Sequence, residues 1–256
     1  TPKLTGVEPS SPVWSPDSRY FAFTWNDEGL PQRDLWIASR DGDKLRRLGS
    51  PPTAAGSVRD FAWLPDGQAI LSLLGSGLWS TALDTGQQTL LATVGDGASN
   101  LSVSPDASKA AYLKDGDLWW VDLVDGTVIA ATEVGIPGLS SVPVGRYSRP
   151  EREIGPGIWG GPTYAWSPDG QYIAVHYVDR QGMRKVPFPN DLGAETEPNE
   201  VRRGYPGDAN EFRTVGLLRI ADRDLRLLAL DKPSENQVID FAWSPDGVLL
   251  LDLGSD

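Results

Sequence analysis

The sequence has no cysteine and a single histidine among its 256 residues. Without cysteine there is no disulfide, no thiolate nucleophile and no cysteine-based metal site, so neither a reducing nor an oxidising compartment is favoured. The pentapeptide Gly-x-Ser-x-Gly, which presents a nucleophilic serine on a sharp strand-to-helix turn, is also missing. We therefore predict that this chain holds no catalytic residue, no metal ligand and no cofactor of its own.

Basic residues and long apolar runs are scarce as well. Lys and Arg number 23 against 35 Asp and Glu, for a formal net charge of −12, and the basic residues are scattered. This balance disfavours nucleic acid and anionic membrane surfaces as partners, because both reward clustered positive charge. No apolar run approaches the roughly 18 residues that span a bilayer, and the N-terminus lacks the pattern of a signal peptide. Since the chain begins with Thr1, we expect a mature or excised soluble segment.

What the sequence does contain is one turn motif in five copies. The consensus is Trp-Ser-Pro-Asp-Gly, and the copies lie at residues 14–18, 63–67, 103–107, 166–170 and 243–247. Proline presets φ for the first central turn position, aspartate bonds the backbone ahead of it, and glycine accepts the positive φ that closes a bulged hairpin. Each copy therefore predicts a β-hairpin.

Further strand signals follow these turns. Short alternating segments have the period of two expected of a strand at 20–25, 69–74, 110–113 and 172–178. A second signature, Asp/Gly-Leu-Trp, marks a third strand at 34–36, 77–79 and 117–119. An Asp-Gly or Thr-Gly turn then leads to a fourth apolar stretch at 45–48, 90–91 and 128–130. Four strands per unit are typical of a propeller blade.

Seven of the ten tryptophans occupy the two recurring positions, in the turn motif and on the third strand. A repeated aromatic in a repeat fold usually packs between adjacent sheets. We therefore interpret these seven side chains as core residues rather than as residues that stack on a ligand. Trp120 and Trp159 fall outside this register.

The turn motifs are unequally spaced. Counted from residues 14, 63, 103, 166 and 243, the intervals are 49, 40, 63 and 77 residues. A four-stranded blade needs about 40 to 50 residues, so the last two intervals carry insertions, at 135–161 and 179–213. Residues 186–210 are rich in charges, Pro and Gly, which predicts an irregular arm instead of further sheet. Such an arm reaches toward another domain or a dimer partner, or is a tolerated surface loop.

Together these patterns predict an all-β fold, an incomplete β-propeller of four-stranded antiparallel blades with about four and a half blades present. We expect a single partial propeller domain over residues 1–256. Its units span about 1–50, 51–92, 93–133, 134–232 with the insertions, and 233–256, where one strand follows the last turn. Asp-rich segments such as 115–117 and 222–224 are interpreted as hairpin turns, because they lack the ligand spacing of a calcium loop.

The fourth unit carries a more specific pattern than the repeats. Its turn motif is followed by a long polar insertion and then by Arg203-Gly204-Tyr205-Pro206-Gly207-Asp208-Ala209-Asn210, ahead of a strand at 215–220. This stretch, from about 146 to 220, resembles the propeller domain of the dipeptidyl peptidase IV branch of the prolyl oligopeptidase family. It departs from the family after Tyr205-Pro206, where Gly-Asp-Ala-Asn-Glu-Phe replaces the usual Lys-Ala-Gly and Asn-Pro.

The resemblance implies the substrate-gating and substrate-binding propeller of a serine exopeptidase. In that family the propeller caps a C-terminal α/β-hydrolase domain and admits short or unstructured peptides. The implied partners are therefore a peptide substrate, a covalently attached hydrolase domain that lies outside this chain, and a second copy in a homodimer. On this interpretation the segment alone is not an enzyme, and its parent is a serine-type dipeptidyl peptidase.

The resemblance also implies a substrate-binding site in the first insertion. In the family, a pair of acidic residues on an insertion binds the free α-amino group of the substrate, and a buried ammonium group requires such pairing. The candidates here are Glu151 and Glu153, which Arg152 separates, whereas the family's pair is contiguous. The alternative is a solvated, mixed-charge loop in which Arg149 and Arg152 neutralise both carboxylates.

Two other interpretations remain open at this point. A TolB-like propeller that serves as a protein-binding platform shares the turn motif, and near-equal repeats would favour it. A sugar-acting or lactonase propeller needs carboxylates or metal ligands that converge on the central channel. The single histidine, His176, lies in the alternating segment 172–178 and is interpreted as a strand residue held by a hydrogen bond.

Overall fold

The computed structural model describes residues 8–49, 56–136, 150–157, 160–188, 199–230 and 236–255. Apart from a 3₁₀ residue at Gly160, the regular structure in these ranges consists of β-strands, and the predicted all-β class is confirmed. No helix among the described residues is long and apolar enough to cross a membrane. The chain divides into two compact units, residues 1–114 with 119–129 and residues 115–118 with 130–256.

Three four-stranded antiparallel sheets follow one another along the chain, each with its strands in sequence order. The first contains β1 (Ser10–Trp14), β2 (Tyr20–Trp25), β3 (Asp34–Ser39) and β4 (Leu45–Arg47). The second contains β5 (Val58–Trp63), β6 (Ala69–Leu74), β7 (Gly77–Ala82) and β8 (Gln88–Thr93). The third contains β9 (Ser99–Val103), β10 (Lys109–Lys114), β11 (Asp117–Asp122) and β12 (Val128–Ala130). Each sheet has the four-strand meander of a propeller blade.

The fourth sheet is larger and the fifth is smaller. The fourth contains β13 (Arg152–Ile154), β14 (Tyr164–Trp166), β15 (Tyr172–Asp179), β18 (Phe212–Arg219) and β19 (Asp224–Leu227). The fifth is a hairpin of β20 (Asn236–Trp243) and β21 (Leu249–Ser255). Three four-stranded sheets, one five-stranded sheet and one hairpin make an incomplete β-propeller, as the turn repeats predicted.

The second insertion corrects one expectation. Within the predicted irregular arm, β16 (Lys185–Phe188) and β17 (Asn199–Arg202) pair as an antiparallel two-stranded ribbon. Pro187 lies opposite Glu200 in this ribbon. A proline is tolerated there because a strand with one neighbour can turn its missing donor away from the ladder.

The turn motif folds as its residue types require. In four of the five copies the serine Oγ donates to the aspartate Oδ1 at 2.6–2.7 Å, in residues 15 and 17, 104 and 106, 167 and 169, and 244 and 246. The same serine oxygen accepts the backbone N–H of the strand that follows, as in Tyr20 and Tyr172. The last residue of each copy has positive φ, from +57° to +84°. The motif therefore closes each hairpin with side-chain as well as backbone hydrogen bonds.

Apolar side chains pack between successive sheets within each unit. In the first unit, Leu71, Leu73 and Tyr112 belong to a buried cluster of the second and third sheets. Ile37 and Ile70 belong to another, of the first and second sheets. In the second unit, a buried cluster joins the fourth and fifth sheets. It contains Ala174, Val215, Val238 and Phe241. The hydrophobic core is therefore a series of layers between sheets, as expected for propeller blades.

Two of the repeat tryptophans bond to the backbone of the neighbouring sheet, in agreement with the predicted packing role. Trp63 is buried, and its Nε1–H donates to the Val13 carbonyl of the preceding sheet at 3.2 Å. Trp243 makes the equivalent bond to Ala165 at 3.0 Å. Trp14 does not fit this role, since 53% of its surface is exposed. Trp120 is buried although it lies outside the register, and Trp159 falls outside the described residues.

Candidate functional site

The inner edge of the fourth sheet is interrupted where the first insertion enters. β13 and β14 both pair with β15, β13 opposite residues 177–179 and β14 opposite residues 173–175. The chain between them leaves the sheet, and both ends of this excursion bond to one residue of β15. The His176 backbone N–H donates to Thr163 O at 2.8 Å, and its carbonyl accepts the Gly155 N–H at 3.0 Å. The two pieces therefore act as one broken inner strand.

The predicted acidic pair lies at the start of this broken strand. Glu153 is in β13 and Glu151 directly precedes the strand, so the strand period of two places them on the same face. Glu151 is buried, with 8% of its surface exposed. Arg152 lies between them and bonds Asp179 Oδ2 through Nε and Nη2 at 3.0 and 2.8 Å. Arg152 thus neutralises Asp179 rather than either glutamate, and Arg149 falls outside the described residues.

Glu151 is paired with an arginine of the ribbon. The Arg202 Nε lies 3.1 Å from Glu151 Oε1, and Nη2 donates to Oε2 at 3.3 Å. Both Nε and Oε1 are buried, and neither has a hydrogen-bond partner in the described part of the chain, which shows that the shorter contact is misaligned. The other guanidinium nitrogen of Arg202, Nη1, donates to the carbonyls of Gln181 and Met183 at 2.7 and 2.9 Å. Arg202 is therefore bonded more closely to backbone than to Glu151.

Glu153 belongs to a tighter chain of ion pairs. The Arg180 Nη1 donates to Glu153 Oε1 at 2.7 Å and to the Pro150 carbonyl at 2.7 Å. The Arg180 Nε donates to Glu211 Oε2 at 2.7 Å, and Arg213 Nε donates to Glu211 Oε1 at 2.7 Å. These aligned, charge-assisted bonds hold the carboxylates of Glu153 and Glu211 in fixed positions.

In this set of ion pairs, positive and negative charges balance. Burial acts to raise the pKa of Glu211, but Arg213 and Arg180 outweigh it and leave the pKa below its ordinary value. Together with the separate Glu151–Arg202 pair, this set forms a cluster of three carboxylates, of Glu151, Glu153 and Glu211, and three guanidinium groups, of Arg180, Arg202 and Arg213. Its formal charge is zero, which suits buried ions that must be paired.

Sequence analysis did not identify four members of this cluster: Arg180, Arg202, Glu211 and Arg213. Arg180 and Arg213 are 4% and 3% exposed. A charged residue is almost never buried to this extent without a partner. The signal in the sequence is the density of charge in the second insertion, residues 179–213. The cluster joins the base of that insertion to the predicted acidic pair.

His176 is a buried strand residue with a hydrogen-bond acceptor at each ring nitrogen. Its Nδ1 lies 3.2 Å from Gly155 O, and its Nε2 lies 3.2 Å from Val238 O. A neutral imidazole donates to only one of these two carbonyls. Burial, with a smaller contribution from Arg213, lowers the pKa of His176. The ring thus connects β15 to the broken inner strand and to β20, consistent with the predicted structural role.

The Tyr-Pro-Gly-Asp stretch forms a turn that follows β17. The Asp208 carboxylate accepts the Tyr205 backbone N–H at 3.2 Å and pairs with Arg184 at 2.7 Å. The guanidinium groups of Arg184 and Arg203 lie 5.8 and 6.0 Å from the centre of the Tyr205 ring. This turn and its cation–π contacts hold the two ends of the ribbon together. Among the described residues, no group of three His, Asp or Glu side chains is placed to hold a metal ion.

Known structures share this architecture. The dipeptidyl peptidase 4 of Porphyromonas gingivalis aligns with 98% of this chain at 13% identity and a TM-score of 0.68. A putative dipeptidyl aminopeptidase IV of Bacteroides ovatus aligns with 99% at 16% identity and a TM-score of 0.60. TolB of Acinetobacter baumannii aligns with 97% at 15% identity and a TM-score of 0.52. At these identities the likeness establishes the fold.

This chain is shorter than those proteins. It spans 39% of the P. gingivalis chain, 35% of the B. ovatus chain and 52% of the TolB chain. The family described as the dipeptidyl peptidase IV (DPP IV) N-terminal region matches residues 76–253, which is well over half of the chain. The resemblance drawn from the fourth unit is confirmed: the chain belongs to the family of dipeptidyl peptidase IV N-terminal regions.

Proposed function

We propose that this chain is the substrate-gating and substrate-binding propeller of a dipeptidyl-peptidase-like serine exopeptidase. The bond-breaking residues belong to an α/β-hydrolase domain outside residues 1–256. The family match over residues 76–253 carries this proposal. It is supported by the alignment of nearly the whole chain to little more than a third of a dipeptidyl peptidase 4. The propeller therefore contributes binding and access.

The second candidate is a binding platform like TolB, without enzymatic activity. The TM-score of 0.52 to TolB shows that the fold suits it. The enlarged fourth sheet, with its broken inner strand and ion-pair network, favours the exopeptidase propeller over a platform of near-equal blades. The sequence encoded after codon 256 distinguishes the exopeptidase propeller from the binding platform. The peptidase requires further blades there, followed by Gly-x-Ser-x-Gly, Asp and His in that order.

Within the peptidase proposal, Glu151 and Glu153 bind the α-ammonium group of the substrate. Both carboxylates are buried or nearly so and lie on one face of the broken strand. Buried carboxylates stabilise an ammonium group strongly, because they replace the hydration that the cation loses. Since both are already paired with arginines, an incoming ammonium group must share or replace one of these partners.

The experiment compares the full-length parent protein with its E151Q/E153Q variant. We expect kcat/KM for a free-amine dipeptide substrate to fall at least about a hundredfold, as for removal of buried charge-assisted bonds. Hydrolysis of a small ester without an amino group reports the hydrolase domain alone and stays within about twofold of the parent value. R184Q is the matched control, because Arg184 lies on the same insertion but pairs with Asp208. Unchanged dipeptide cleavage in E151Q/E153Q would refute the anchoring role.

A further inference from the structure

The two glutamates of the site are held in different ways. Glu153 accepts an aligned 2.7 Å bond from Arg180, which Glu211 and the Pro150 carbonyl fix in turn. Its side chain also lies against Gly155, where an added Cβ would come within 2.8 Å of the Glu153 carboxyl carbon. Glu153 thus has little freedom to change partners.

Glu151 is held much more loosely. Among the residues that the structure describes, it contacts one arginine, Arg202, through a 3.3 Å bond and a 3.1 Å contact that is too misaligned to be a hydrogen bond. The Oε1 atom is buried and has no hydrogen-bond partner among the described residues. Such an acceptor carries a desolvation cost that a better-placed donor would remove.

Arg202 can give up Glu151 without losing all of its partners. Its Nη1 donates to the Gln181 and Met183 carbonyls, which lie at the base of the ribbon. These two bonds are independent of the carboxylate, and charge-assisted bonds to carbonyls stabilise a guanidinium group. A cation that replaced Arg202 at Glu151 would therefore leave Arg202 bonded to backbone.

From this asymmetry we propose that the α-ammonium group of the substrate replaces Arg202 at Glu151, whereas Glu153 holds Arg180 and the floor of the site. This inference rests on the proposed binding of the α-ammonium group by the acidic pair and narrows that contact to Glu151, so that Glu153 supports the site without binding the ammonium group. Arg202 is a positioning residue that pairs with Glu151 while the site is empty. Because Arg202 belongs to β17, the exchange also removes the side-chain link between the ribbon and the acidic pair.

The exchange has a distinct signature in binding. With Arg202 in place, an ammonium group must displace a cation, whereas in R202M it meets an unpaired carboxylate. In the full-length protein we expect R202M to lower the Kd of a free-amine dipeptide product about tenfold. R202K keeps a competing charge and stays within about threefold of the parent Kd. R184Q, on the same insertion, leaves the Kd unchanged.

The glutamates separate in the same assay. Calorimetry with a free-amine dipeptide and its N-acetylated form measures how strongly the ammonium group contributes to binding. We expect E151Q to abolish the preference for the free amine and E153Q to retain it, with E153Q lowering the melting temperature instead. Hydrogen exchange of the amides of residues 199–202 should accelerate on addition of the free-amine dipeptide and not of the acetylated form.

The possible failures are distinguishable. If the parent protein binds the free and acetylated dipeptides equally, the amine-binding function itself is refuted. If the parent protein prefers the free amine and E151Q loses this preference, but R202M binds no more tightly than the parent, the exchange is refuted and the function stands. If R202M does not fold, unchanged hydrogen exchange at residues 199–202 in the parent protein on ligand binding refutes the exchange independently.

Discussion

Individual residues in the repeated turn carry a backbone cost that differs between copies. The last turn residue has positive φ in every copy, but it is Ser18 in the first and Ala107 in the third. A side chain makes this left-handed conformation unfavourable by about 1–2 kcal/mol, whereas glycine adopts it freely. The turn's hydrogen bonds evidently suffice to hold Ala107 at +57°.

We therefore expect A107G to stabilise the protein by about 0.5–1 kcal/mol, the backbone gain less the entropy that glycine adds to the unfolded chain. Urea denaturation of the two proteins measures this difference. G247A is the matched control, because Gly247 has φ of +84° and open space around a built Cβ, so only the backbone term changes. G247A should destabilise by a similar amount. A107G with lower stability than the parent would show that the alanine methyl makes a compensating contact.

At the scale of strands and sheets, the inner strands are joined by side chains that bond the backbone of the next sheet. Asp60 on β5 accepts the Leu101 N–H of β9 at 2.8 Å through Oδ2 and the Phe61 N–H at 2.8 Å through Oδ1. Burial raises the pKa of Asp60, against the lowering effect of these backbone donors. Asp60 thus links the second sheet to the third, and the bond from Trp63 to the Val13 carbonyl links the second sheet to the first.

Replacement of Asp60 by asparagine tests this link. The amide NH2 of D60N cannot accept a hydrogen bond, so one backbone N–H loses its partner and the free energy of unfolding should fall by about 1–3 kcal/mol. D66N is the matched control in the same sheet, because Asp66 is exposed. Among the described residues its carboxylate accepts only the Gln68 N–H, which an amide oxygen also accepts. Denaturation with urea measures both variants. Equal effects of D60N and D66N would contradict a specific role for Asp60 between sheets.

The elements that were predictable from sequence are those with a repeated, local signal. Strands β2 and β6 coincide with the alternating segments at 20–25 and 69–74, because the turn before each one fixes its register. The ribbon was missed since Pro187 and the surrounding charges argue against a strand. The partners of Glu151 and Glu153 were also unpredictable, because Arg202 and Arg180 lie 51 and 27 residues along the chain.

For the molecule as a whole, the excess of negative charge lies outside the buried ion-pair cluster. The cluster of the fourth sheet is formally neutral, whereas the complete chain carries −12. Part of the acidic excess is in the turn motifs, whose aspartates are ionised acceptors. The bond from Ser15, with smaller contributions from Arg19, lowers the pKa of Asp17 to about 2. Hydrogen bonds from the turn serines likewise lower the pKa of Asp106, Asp169 and Asp246.

These shifts predict how the whole fold responds to acid. A carboxyl group with a lowered native pKa binds fewer protons in the folded than in the unfolded chain, so its stabilising contribution is complete above the unfolded pKa and is lost as the pH falls through the native one. The four turn aspartates and Glu211 all act in this direction. These groups should therefore make the free energy of unfolding fall from about pH 4.5 to pH 2. Asp34 and Asp60, whose pKa values burial raises, act in the opposite direction at the upper end of this range.

A variant with alanine in place of the four turn serines distinguishes the turn aspartates from the other acidic groups. The four positions are Ser15, Ser104, Ser167 and Ser244. Without the serine donors the aspartate pKa values return toward those of the unfolded chain, so stability at pH 7 falls and its further decline toward pH 2 becomes shallower. Urea denaturation at half-unit pH steps measures both slopes. Parallel pH profiles for the two proteins would show that the serine bonds do not contribute to acid sensitivity, leaving the backbone donors of the turns and the arginines of Glu211 as the responsible groups.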